Sequence, residues 1–225
     1  MVRTAALGTV MDLSLENVAI RLDGLPLIGP FSLSVPAGGI VTLMGPSGSG
    51  KSSLLAYIAG DLEPPLEGRG RILLGGAPLN DTPPESRRIG RLFQDDLLFP
   101  HLTVGENLLF GIPRQSGPGR KAIMRAALKQ AELEGFENRP PHTLSGGQRS
   151  RVALFRALLA SPNAMLLDEP FAKLDAELKR SMRSYVFAHL KARNIPTLLV
   201  THDSDDAPKN GLILRIGRDG EVKHD

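Results

Sequence analysis

The sequence contains no cysteine and no tryptophan. Without thiols, disulfide frameworks, thiolate metal sites and cysteine nucleophiles are excluded together. Aromatics make up only 4% of the chain, eight Phe and two Tyr, so the stacking platforms that single-stranded nucleic acid needs are scarce. Neither sign of charge dominates: 27 Lys and Arg against 24 Asp and Glu leave +3 over 225 residues. That excess is too small to steer the chain toward nucleic acid, and no such partner is expected. Apolar runs such as Ile40 to Met44 and Ala164 to Leu167 stop at turn or charged residues, far short of the roughly 18 residues a membrane span needs. What remains is an ordinary globular mixture, 41% hydrophobic and 23% charged, of a length that suits one large domain or a domain with a subdomain.

Strand-like patterns run from Leu13 to Leu22 and from Phe31 to Val35, with Gly24, Pro26, Gly29 and Pro30 read as turn punctuation between them. Residues 1–11 are expected to be an unstructured extension. Ile40 to Met44 is a short apolar strand, followed by a glycine-rich turn and a helix from Lys51 to Ala59 that Gly60 closes. A Gly, Pro and Glu rich stretch leads to strand Arg71 to Leu74, and Ile89 to Phe93 reads as another. Strand signals then vanish until Pro162. Thr103 to Phe110 and Arg120 to Leu133 are helical, and Arg149 to Leu159 forms a third helix. The α/β alternation resumes with strand Ala164 to Leu167, helix Asp175 to Ala192 and strand Pro196 to Val200, and closes with strands Gly211 to Ile216 and Glu221 to Lys223. His189 falls on the apolar face of its helix and is read as a packing residue.

Gly45, Pro46, Ser47, Gly48, Ser49, Gly50, Lys51 and Ser52 fit GxxxxGK[ST], with Ser53 next. Between a strand and a helix, such glycines let successive backbone N–H groups converge on phosphate oxygens, and the helix dipole favours the negative charge. Lys51 would then reach the β and γ phosphates of a bound nucleotide, and the Ser52 hydroxyl would ligate Mg²⁺. Met165 to Leu167 is an apolar strand that ends in Asp168 and Glu169. It delivers Asp168 to the metal's water shell and Glu169 to the attacking water as general base. Leu144, Ser145, Gly146, Gly147 and Gln148 immediately precede a helix and supply a second anion-binding start. One nucleotide does not easily occupy two such sites in one chain, so this segment is expected to serve the γ-phosphate of another copy.

These motifs together resemble an ABC-type ATPase subunit over essentially all of residues 12–223. The resemblance implies an α/β fold: a P-loop NTPase core (12–94 and 163–223) carrying an antiparallel β subdomain, with an inserted helical subdomain (95–162). It implies two cassettes closing head to tail on two ATP molecules, most simply as a homodimer. Residue by residue, Gln94 resembles the glutamine that touches Mg²⁺ or water and senses the transport partner. Asp175 looks like the residue bridging the cassettes, and His202 resembles the switch histidine at the γ-phosphate. The family usually stacks an aromatic on adenine near the amino terminus, and by register that position is Leu22. An aliphatic base contact, modest affinity and weak discrimination against GTP are therefore expected.

Only 92 residues separate Lys51 from Leu144, which leaves no room for a long coiled-coil insertion of the DNA-repair type. Translation-associated members usually carry two cassettes per chain. The segment Leu97, Leu98, Phe99, Pro100, His101, Leu102, Thr103, Val104 and the run Asp168, Glu169, Pro170, Phe171 resemble bacterial importer cassettes more than exporters. The resemblance thus implies an ATPase on the inner face of the membrane, bound to transmembrane permease subunits, with some of Leu97, Leu98, Phe99 and Leu102 exposed to receive a partner helix. Lys173 and Ser150 stand where importers commonly have a small residue and a glutamine.

Overall fold

A computed structural model describes residues 11–224, apart from the side chain of Pro118. Of the expected extension 1–11, residues 1–10 lie outside the described residues, and Met11 packs half-buried against the core. Strand β1 (Leu13–Leu22) and strand β2 (Leu25–Val35) form a hairpin. It is closed at Asp23 and Gly24, whose φ angles of 49° and 76° bring the left-handed backbone that Asp and Gly tolerate best. Pro26, Gly29 and Pro30 therefore sit inside β2 rather than in a turn. The reason is position: β2 is an edge strand, where a missing N–H costs no ladder bond.

After β3 (Ile40–Met44) and α1 (Lys51–Ala59), strand β4 (Leu66–Leu74) pairs with β1 over its whole length. It begins five residues earlier than the sequence pattern suggested, because pairing opposite β1 satisfies a backbone whose side chains alternate between half-buried and exposed. The two-residue β5 (Ala77–Pro78) completes an antiparallel sheet of order β2-β1-β4-β5.

The main sheet runs β10-β9-β3-β8-β7-β6, comprising β6 (Ile89–Leu92), β7 (Ala164–Asp168), β8 (Thr197–Val200), β9 (Leu212–Ile216) and β10 (Val222–His224). All pairs are parallel except β10 with β9. Parallel strands covered on both faces read as continuous apolar runs, and β7 and β8 are buried throughout. Their alternate residues divide between two cores. Leu166, Leu198 and Val200 join the cluster of Leu13, Leu15, Ile20 and α1, beneath the antiparallel sheet. Met165, Leu167 and Leu199 join Phe155, Met182 and Val186 on the other face.

Between β6 and β7 the chain is helical: α2 (Val104–Gly111), α3 (Arg120–Gln130) and α4 (Gly146–Leu159). Helix α5 (Ala176–Ala192) follows β7. His189 is half-buried against Tyr185, with ring centroids 5.9 Å apart, and burial pushes its imidazole below the ordinary range, as a packing role requires. Helix α4 starts at Gly146, three residues before the expected Arg149. A reciprocal capping box explains the shift: Gln148 N–H donates to Ser145 Oγ at 3.3 Å and Ser145 N–H donates to Gln148 Oε1 at 2.8 Å.

Candidate functional site

Strands β3, β7, β8 and β6 run parallel, so their carboxyl ends, near Met44, Asp168, Val200 and Leu92, share one edge of the sheet. Open α/β sheets hold ligands at that edge. Here lies a cleft of about 480 Å³ whose walls include Gly45, Ser47, Gly48, Gly50, Lys51, Ser52 and Ser53 from the turn after β3. Asp168, Glu169, Gln94 and His202 line the same cleft, with Leu22 at one side. Of the remaining predicted residues, Pro46 lends its carbonyl to Lys51 and Ser49 is buried behind the loop.

The loop is shaped for an anion. Gly48 and Gly50 take φ of 78° and 87°, and a Cβ on Gly50 would lie 2.9 Å from Leu27 Cγ. Unlike α2, α4 and α5, α1 has no side-chain cap, and its first turn holds no acidic residue. Its leading N–H groups and dipole are left for a ligand. Lys51 Nζ donates to the carbonyls of Gly45 at 2.9 Å and Pro46 at 2.7 Å. Desolvation lowers the Lys51 ammonium below its ordinary range, an effect opposed by the carboxylates of Glu169 and Asp168.

Asp168 ends β7 and is buried. The next residue turns sharply: Glu169 has φ of 50°, a left-handed conformation that a non-glycine residue holds only where its surroundings enforce it. Glu169 N–H donates to Val200 O at 2.9 Å, and its carboxylate reaches His202 Nδ1 at 2.8 Å and the Thr201 hydroxyl at 3.4 Å. Glu169 is 12% exposed, whereas His202 is 72% exposed. Behind them a charged network rests on Asp206. Its carboxylate is 1% exposed and accepts from Thr201 Oγ1 at 3.1 Å, Lys179 Nζ at 3.1 Å and Arg183 Nη1 at 3.4 Å. Lys179 also meets Asp203 at 2.5 Å, tying α5 to the turn that carries His202.

Ser145, Gly147 and Gln148 do not line the cleft, and neither does Asp175, which caps α5 by accepting from Leu178 N–H at 3.0 Å. Ser145 is exposed at the start of α4; because its Oγ accepts from Gln148, the hydroxyl hydrogen can still be donated outward. Sequence reading missed Leu27, Leu66 and Ala172 as cleft residues. Leu66 lies directly opposite Leu22 across β1 and β4, so this side of the cleft is a wall of leucines.

A second cleft of about 330 Å³ opens between β6 and the helical segment, lined by Phe93, Phe99, Phe110, Arg156 and the α4 alanines. Phe110 is 67% exposed and its ring stands 4.6 Å from that of Phe99. Of the four residues expected to share exposure here, Leu97 is exposed, while Leu98, Phe99 and Leu102 are half-buried.

Residues 28–172 match the family described as ABC transporter. The chain is 44% identical over 207 residues to the uncharacterized ABC transporter ATP-binding protein YnjD of Escherichia coli (strain K12), covering 92% of this chain and 95% of that protein. It is 42% identical over 214 residues to the Fe(3+) ions import ATP-binding protein FbpC of the same strain, covering 90% of this chain but only 61% of FbpC. Among solved structures, the dimeric structure of MJ0796, a bacterial ABC transporter cassette, superposes with a TM-score of 0.82 at 32% identity, covering 94% of this chain and 96% of that one.

Proposed function

This chain belongs to the ABC transporter family, as an ATP-binding and ATP-hydrolysing cassette, and we propose that it energises an importer whose spanning subunits are separate chains. One observation carries the site assignment. Lys51, Asp168, Glu169, Gln94 and His202, from four separate stretches of sequence, line one cleft, while no residue of the Leu144 to Gln148 segment does. In this reading a single domain spans 12–223, with 95–162 as its helical subdomain. Two copies close head to tail, so that the partner's Ser145 and Gly147 complete the site.

ATP rests its phosphates on the N–H groups of residues 45–53, with Lys51 at the β and γ phosphates. No cluster of three or more acidic, His or Cys side chains able to hold a metal exists among the described residues. This suits Mg²⁺, which is held by phosphates, waters and one or two protein oxygens; Ser52, Asp168 and Gln94 offer such oxygens in the cleft. Bound there, Mg²⁺ would offset phosphate charge. Glu169, fixed by its strained backbone and by His202, orients water in line with the γ-phosphate and takes its proton. Lys51, His202 and the partner's Ser145 stabilise the transition state.

The aliphatic wall of Leu22, Leu27 and Leu66 holds the base. The Phe99 and Phe110 cleft receives a helix of the spanning subunit, at the cytoplasmic face of the membrane. Among the described residues no helix is long and apolar enough to cross a membrane. Similarity to FbpC supports import over the competing expectation of an exporter or a non-transport ATPase.

The decisive experiment is Glu169→Gln. ATP affinity should stay within about twofold, turnover should fall by at least about 100-fold, and an ATP-dependent dimer should accumulate in gel filtration. Retained turnover would refute the assigned base.

A further inference from the structure

Asp96 lies two residues beyond Gln94, where the chain leaves β6. Its carboxylate is 12% exposed and is met by two cations from distant stretches: Lys173 Nζ at 3.0 Å from Oδ1 and Arg149 Nε at 3.4 Å from Oδ2. Neither cation lines the chain's own cleft, although Ala172, next to Lys173, does. Arg149 sits in the first turn of α4 and its Nη1 donates to Leu144 O at 2.7 Å, so it grips the residue just before Ser145. Lys173 stands two residues before Asp175, and its carbonyl oxygen would be 2.8 Å from a Cβ on Gly147. The glycine is what lets the loop rest directly on the Lys173 backbone. One carboxylate thus clasps the Leu144–Gln148 loop and the approach to Asp175 to each other. Without it, two cations would face one another beneath that loop.

We propose that Asp96 is a positioning residue: it holds Ser145, Gly147 and Asp175 in the mutual arrangement that the second copy's ATP requires, and so acts on catalysis in the partner rather than in its own chain. This rests on the reading that the loop closes on a second copy. Lys173 and Arg149 act through Asp96 and touch no nucleotide of their own chain. Their presence accounts for the departure at Lys173 noted in the sequence: the lysine has a carboxylate to meet.

The test uses the full chain carrying Glu169→Gln, so that the ATP-bound dimer persists. Adding Asp96→Asn should leave ATP affinity of the dilute, monomeric chain within about twofold and weaken ATP-driven dimerisation about tenfold, the combined loss expected of two partly exposed ion pairs. In the chain with Glu169 intact, the same change should lower kcat at fixed protein concentration while leaving KM for ATP unchanged. Asp96→Glu should restore most of the dimerisation. Dimerisation unaffected by Asp96→Asn would overturn the proposal. So would a parallel drop in ATP affinity and unfolding midpoint, which marks a residue that merely supports the fold. If the Glu169→Gln parent forms no dimer with ATP, the head-to-tail reading itself falls and takes the role of Asp96 with it.

Discussion

Replacing Leu22 with tyrosine tests the proposed base seat directly. Leu22 is 39% exposed at the edge of the nucleotide cleft, with Leu66 opposite it and Leu27 behind the phosphate loop. Fully burying a leucine side chain is worth about 1.5–3 kcal/mol, so covering the remaining two fifths yields roughly 0.6–1.2 kcal/mol. Stacking a base on an aromatic ring is worth about 1–3 kcal/mol. The gain for Leu22→Tyr is the difference, about 0.5–2 kcal/mol, or roughly 2- to 30-fold tighter ATP binding. Leu22→Ala should lose about three- to eightfold. The three leucine side chains carry no polar atom to read a base edge, so ATP and GTP should bind the parent within about threefold of each other. Calorimetric titration of the three proteins with both nucleotides supplies the comparison. Unaltered affinity in both Leu22 variants, or strong rejection of GTP by the parent, would show that the base lies elsewhere.

Phe110→Asp should abolish co-purification with the spanning subunits while changing the unfolding free energy by less than about 0.5 kcal/mol, because Phe110 is largely exposed; recovery of the intact complex would remove the docking role. Phe99→Asp makes a poorer probe, since its ring is half-buried against Phe110 and lies 5.2 Å from the Arg156 guanidinium. Asp206→Ala removes one of the two carboxylates on Lys179, which keeps Asp203, together with the buried acceptor of Arg183 and Thr201, and should cost about 1–3 kcal/mol, read as a lower urea midpoint. Hydrogen bonds from Lys179 and from the Asp205 N–H hold the Asp203 carboxyl below its ordinary 3.8. A depressed carboxyl contributes stability that is complete above 3.8 and is lost as pH falls through the folded value. The urea midpoint should therefore drop on acidification below about pH 4, and Asp203→Asn should flatten that limb; an equally steep limb in the variant would dismiss the assignment.

Local chemistry was legible from the sequence wherever one stretch of chain supplied the whole signal. Strand β3, helix α1 and their glycine turn match the structure residue for residue, because apolar run, glycines and helix formers are adjacent. Elements stabilised from outside were read short. β2 looked broken by Pro26 and Pro30, which only an edge position tolerates, and the first five residues of β4 were read as part of the Gly, Pro and Glu rich stretch before the strand at Arg71 to Leu74. Helix α4 carries two glycines in its first turn, and it is the Ser145 and Gln148 cap that extends it over them. The leucine wall escaped because Leu66 meets Leu22 across 44 positions of sequence. The clasp at Asp96 escaped for the same reason, its lysine lying 77 residues away.

The prolines of the antiparallel sheet bear on how copies of this chain meet. Pro26 and Pro30 lie on the edge strand β2, and Pro78 lies on β5 at the opposite edge. A neighbouring strand seeking to extend the sheet from either side finds a ladder with missing donors, so strand-to-strand accretion is blocked at both borders. Association is left to surfaces other than these strand edges. On the proposed head-to-tail cycle, in which two cassettes join and part with every turnover, permanent, sticky contacts need suppressing as much as transient ones need building.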